Sequence, residues 1–213
     1  MEGRLRLLAR LKRILKDIRD VLQANPDVKS IARRMFVTNA LDGIVAALGV
    51  NIGGFTPTQD PLIHASGIIG GTLAMGVVSG VIGVYISEKA ERLREYKELE
   101  RRVAHSLRGS IYWKAVQIIP IYVALWSGVG IILFPLLSAL PFLLAGSLGI
   151  NIVKAYYASI AISLGEMIFL GAYLARVSGE SLAKATIRII GMGLIALLIA
   201  SVLRVVLGIT VTP

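Results

Sequence analysis

Five stretches of apolar residues, each long enough to cross a bilayer as a helix, alternate with segments that carry most of the charge. They fall at residues 36–55, 63–86, 115–137, 155–175 and 187–208. The pattern predicts an all-α, multi-pass integral membrane protein with five transmembrane helices. Ahead of the first run, Leu8, Leu11, Leu15, Ile18 and Leu22 repeat at alternating steps of three and four, with Leu7, Ile14 and Val21 beside them. That spacing predicts an amphipathic cytosolic helix with a basic polar face, suited to an anionic membrane surface or to a partner helix. Asn25-Pro26-Asp27 is expected to end it. The stretch is too interrupted by charge for a signal peptide, so the N-terminus is expected to be retained. The organisation read from this pattern is a basic N-terminal helix at 1–34, transmembrane helices 1 and 2 at 35–86, a charged cytosolic helix and loop at 87–114, and transmembrane helices 3 to 5 at 115–213. Pro120, Pro135 and Pro141 predict a kinked or broken third run. Tyr112-Trp113 and Tyr156-Tyr157 read as interfacial anchors.

Composition agrees with the pattern: 55% of the 213 residues are hydrophobic, 17% are charged, and the mean hydropathy is +0.74. A net charge of +10 invites a nucleic-acid reading, but the distribution argues against one. Ten basic residues precede the first run, eight lie in 87–114, and Arg176, Lys184 and Arg188 surround the last turn, whereas the turns at 56–62 and 138–151 have none. The alternation predicts an inside N-terminus and an outside C-terminus, with Lys154 and Arg204 near the outer face. The chain has no cysteine, so a bound metal would be held by oxygen, imidazole or thioether donors.

Asp42 lies inside the first run and Glu166 deep in the fourth. An acid near the middle of a membrane helix costs roughly 2.5 to 3.5 kcal/mol on insertion scales, so such groups usually face a bundle interior or a wet cavity on an ion or proton path. The plainer reading of Asp42 is a carboxyl that stays protonated or bonds to a neighbouring helix. Gly49 and Gly53 in the first run, and Gly76 and Gly80 in the second, have the spacing that lets membrane helices approach closely. Met75 is either core filler or a soft metal ligand. Glu88, Glu91, Glu95 and Glu98 stack along one side of a continuing helix, in a spacing that suits a divalent cation. Interleaved lysines and arginines favour ordinary i to i+4 pairing there.

These residues carry a resemblance to the vacuolar iron transporter family. The matching pieces are NALDGIVAALGVNIGG in the first run, AMGVVSGVIGVYISEKAE leading out of the second, and AISLGEMIFLGAYLARVSGESLAKATIRIIGMGLIAL across the last two, covering most of residues 33–208. The resemblance implies five membrane helices and a homodimer that moves ferrous iron, often with manganese, out of the cytosol in exchange for protons. The family's path aspartate matches Asp42 and its path methionine matches Met75. No family role carries over to Glu166. Family members have a long cytosolic metal-collecting insertion between the second and third helices; here only residues 87–114 stand in its place, with the four glutamates as a remnant. An aspartate and a thioether together favour ferrous iron or manganese over magnesium or calcium, and Asn39, one helical turn before Asp42, can add an amide oxygen.

The metal candidates are therefore Asp42, Met75, Asn39, Glu88, Glu91, Glu95 and Glu98, and the proton-path candidates Asp42 and Glu166. The metal is cargo rather than a resident cofactor. Two other readings stand beside metal transport: a proton-coupled transporter of a non-metal substrate, using Asp42 and Glu166 without Met75, and a non-transporting membrane scaffold. An intramembrane enzyme is not expected, since the sequence has no HExxH, no GxSxG and no second aspartate within an apolar run.

Overall fold

The computed structural model describes residues 2–206, and for residues 2–8, 11 and 13 the backbone alone. The described chain is helical throughout: α1 (Glu2–Ala24), α2 (Asp27–Gly54), α3 (Pro61–Met75), a π-helical segment (Gly76–Gly83), α4 (Val84–Val103), α5 (Ile111–Leu148), α6 (Ile152–Ser178) and α7 (Leu182–Val206). Five helical stretches are long and apolar enough to cross a membrane: α2, α5, α6, α7 and the span Pro61–Val103, which holds α3 and α4. This is the architecture of a multi-pass membrane protein.

Local chemistry sets several boundaries. Asp60 accepts the Leu62 N–H at 2.7 Å, and Pro61 occupies the first helical position of α3, where no N–H is needed. Asn151 caps α6 in the same way through the Val153 N–H at 2.8 Å, and Gly179, at φ 71°, ends it. Gly76 and Gly83 keep right-handed helical backbone, so the π segment joins α3 to α4 without a break.

Two expectations from the sequence are corrected. The break at Asn25 and Pro26 puts residues 27–34 into α2, so the first membrane helix starts with Lys29, Arg33 and Arg34 on its opening turns. Of the kinked or broken third run, the break is absent and the bounds are wider than 115–137; α5 passes through Pro120, Pro135 and Pro141 as one helix of 38 residues.

The chain divides into two compact units, one formed by the described residues up to 35 with 78–127, the other by residues 36–77 with those described from 128 onward. In the first unit, Val21, Val28, Ala32, Ala115, Ile119 and Val123 form a buried core. The amphipathic stripe of α1 docks there only at its end: Val21 is buried and Leu22 half-buried, but Ile14 and Leu15 are exposed. The side chains of Leu7, Leu8 and Leu11 lie outside the described residues. Lys114 pairs with Asp17 at 2.7 Å. In the second unit, one core gathers Ala47, Phe55, Ile68, Phe142 and Ile152, and another Ile44, Leu48, Phe134, Met167, Leu170 and Ile189. Its helices meet where glycine removes a side chain: Gly146 faces Leu62, and Gly171 faces Thr186.

Candidate functional site

Gly43 and Gly76 press on the same residue of α5. A methyl group added at Gly43 would lie 2.9 Å from Cγ of Pro135 and 3.1 Å from the Ile131 carbonyl oxygen; one added at Gly76 would lie 2.8 Å from Cγ2 of Ile131. The Asp-Gly pair of α2 and the Met-Gly pair at the end of α3 are thus anchored at one level of α5. The side chains beside these glycines stay outside the packing: Asp42 is exposed and Met75 is 41% exposed. Asn39, one turn before Asp42, is buried and bonded within the protein. The α-helix gives way to π-helix immediately after Met75, and π segments recur at functional sites.

Asp42, for which a bundle interior or a wet cavity was expected, is not enclosed within the single chain. Its helix face continues through Val45, Gly49 and Gly53, which with Ala196, Ile199, Ala200, Leu203 and Arg204 of α7 line an open apolar groove of about 510 Å³. Gly49 and Gly53, expected to let two helices close up, have nothing within 4 Å of an added methyl. Arg204 reaches past the groove to donate to the carbonyls of Ile52 at 2.8 Å and Phe55 at 3.0 Å, satisfying orphan acceptors at the end of α2.

Glu166 is buried, as its place in the fourth run implied, at 7% exposure. Its Oε2 accepts the Ser138 hydroxyl at 3.0 Å from α5, while Oε1 is buried with no hydrogen-bond partner. Ser138 Oγ also lies 2.8 Å from Ser163 Oγ, and Ser163 Oγ lies 3.0 Å from the Ser159 carbonyl oxygen. Behind these hydroxyls runs a chain that sequence reasoning missed. Ser159 donates to the Ser138 carbonyl and accepts from Asn51 Nδ2 at 2.8 Å. Asn51 Oδ1 faces His64 Nε2 at 3.1 Å, and His64 Nδ1 faces Gln59 Oε1 at 3.3 Å. His64 is walled by Phe142 and Phe55, with ring centroids at 4.4 Å and 5.8 Å. One signal was available: Ser159, Ser163 and Glu166 recur at steps of four and three on one face of α6.

The four glutamates of α4 belong to the other unit, and most are bound to arginine. Buried Arg92 holds Glu88 and Glu95, each at 2.9 Å, and Asp27 of α2 at 3.2 Å; Arg94 holds Glu91. Glu98 is exposed at a cleft of about 280 Å³ that Arg92, Glu95, Tyr96 and Arg102 also line. Among the described residues no group of three or more His, Asp or Glu side chains is placed to hold a metal ion. The i to i+4 pairing of the sequence is thus present at Glu88 and Arg92.

The chain is 28% identical over 187 residues to an uncharacterised protein of Methanocaldococcus jannaschii, a match covering 86% of this chain and 91% of that one. No family model and no solved structure matches it.

Proposed function

We propose that this protein moves ferrous iron, with manganese as a second cargo, out of the cytosol in exchange for protons, with its N-terminus inside. The observation that carries the reading is the shared anchoring of Gly43 and Gly76 on Ile131, which keeps a carboxylate and a thioether next to one level of α5 while leaving both side chains uncovered. A hard and a soft donor next to one level of α5 suit a borderline divalent ion, and two ligands hold it loosely enough to release. A carboxylate turned toward lipid is costly, so the uncovered face of α2 is assigned to a second copy of this chain, and the metal path to the space between copies. Asp42 compensates the charge of the ion and Asn39 holds the turn before it. Glu166, buried and half-partnered, is assigned to the returning proton. Glu88, Glu91, Glu95 and Glu98 raise metal concentration at the cytosolic end, within the limit that Arg92 and Arg94 compete for them.

Metal uptake into proteoliposomes tests this. Asp42→Asn is expected to abolish uptake of both metals, because a neutral isostere leaves a divalent ion without counter-charge at low dielectric. Met75→Ala is expected to harm ferrous iron more than manganese. Wild-type uptake by Asp42→Asn would overturn the reading.

A further inference from the structure

Glu166 is satisfied on one oxygen only, and the group that satisfies it can face either way. Ser138 Oγ stands between Glu166 Oε2 at 3.0 Å and Ser163 Oγ at 2.8 Å, and Ser163 Oγ in turn reaches the Ser159 carbonyl at 3.0 Å. Each hydroxyl has a single hydrogen, so the row points in one of two directions. With Glu166 ionised, Ser163 donates to Ser138 and Ser138 donates to the carboxylate. With Glu166 protonated on Oε2, the carboxyl donates to Ser138, Ser138 to Ser163, and Ser163 to the carbonyl. Both rows are complete, and passing between them rotates two hydroxyls without moving a heavy atom.

The row is held from behind. Ser159 commits its hydrogen to the Ser138 carbonyl and takes one from Asn51, which fixes α5 against α6 at this level. No charged side chain faces Glu166 among the described residues; the polar groups facing it are Ser138 from α5 and, through it, Ser163 of its own helix. Its second oxygen is buried and unpartnered, which is costly for an ionised carboxylate and leaves an open position for an incoming proton.

We propose that Glu166 with the Ser138 and Ser163 hydroxyls is a reversible proton-binding site, in which the hydroxyl pair reverses to bond either form of the carboxyl. The step is simple addition of a proton to a carboxylate oxygen, with no other bond made or broken. The inference rests on the proton half of the function proposed above and deepens it, naming Ser138 and Ser163 as positioning residues.

The test is an infrared titration of the full-length protein in lipid without metal, following the protonated-carboxyl band that Glu166→Gln removes. Ser163→Ala takes away the acceptor of the Ser138 hydrogen in the row used by the protonated form, and Ser138→Ala takes the donor from the ionised form. The two variants are expected to move the midpoint in opposite directions, each by about one pH unit, a tenfold change in proton affinity. Ser138→Thr, which keeps a hydroxyl, is expected to restore the wild-type midpoint. If Ser138→Ala fails to fold, Ser163→Ala decides alone, because in this row Ser163 reaches Glu166 only through Ser138. No Glu166 band at any pH at which the protein stays folded, or an unmoved midpoint in Ser163→Ala, would overturn the proposal. Because no metal is present, failure here leaves metal transport standing, and failed metal uptake leaves this titration intact.

Discussion

Gly43 of α2 and Pro135 of α5 fit together only because one lacks a side chain: a methyl group at Gly43 would lie 2.9 Å from Cγ of the proline ring. The ring is rigid and the Ile131 carbonyl closes the other side at 3.1 Å, so neither neighbour can give way cheaply. Gly43→Ala is therefore expected to destabilise the protein by about 1 to 3 kcal/mol. Gly49→Ala, on the open face of the same helix, is expected to leave the stability of the single chain unchanged. Thermal unfolding in detergent checks both, and equal effects would contradict the packing described.

The row behind Glu166 is held by Asn51, whose two amide ends are both engaged in the buried interior. Asn51→Leu takes one partner each from the imidazole of His64, at Nε2, and from the hydroxyl of Ser159. The expected loss is about 1 to 3 kcal/mol, since a buried ring nitrogen of His64 is left without its partner. Asn51→Leu combined with His64→Phe is expected to recover part of it, because the ring nitrogens are then gone. A double-mutant cycle measures the coupling, and strict additivity would argue against the bond.

Arg92 organises the polar part of α4, so replacing it should cost more than replacing any one glutamate. Its partners differ in burial: the Glu88 side chain is 13% exposed, but Asp27 and Glu95 are about half exposed, at 55% and 50%. Only Glu88 is left uncompensated in a dry place, which puts the cost of Arg92→Met at about 1 to 3 kcal/mol, below that of a fully buried pair. Glu98→Gln, at an exposed position, is expected to change stability by less than about 0.5 kcal/mol. Chemical denaturation of the two variants distinguishes them.

Topology is open to direct labelling, because the chain has no cysteine of its own. A membrane-impermeant thiol reagent applied to intact cells is expected to modify Thr58→Cys, in the turn before α3, and not Glu98→Cys on α4. Both positions are exposed, so access to the reagent is decided by sidedness. The reverse pattern would invert the proposed orientation.

The sequence by itself determined where the apolar helices are, because crossing a bilayer demands length and hydrophobicity that one stretch of chain must supply alone. It also placed Asp42 and Glu166 inside such stretches, where an acid needs a special surrounding. It did not determine how α5 runs through its prolines. A proline removes a hydrogen bond wherever it stands, and whether the helix continues depends on neighbours such as Gly43, which leaves room for the Pro135 ring. Nor could it join Glu166 to Ser138, or Asn51 to His64 and Ser159. Those bonds link residues 28, 13 and 108 positions apart, and the spacing of Ser159, Ser163 and Glu166 marks a face of α6 without naming what it meets. The different surroundings of the two acids are likewise a tertiary outcome. Asp42 and Glu166 look alike along the chain, but α5 supplies hydroxyls to one and the other is left on an uncovered face, because which side of a membrane helix is buried depends on what packs against it.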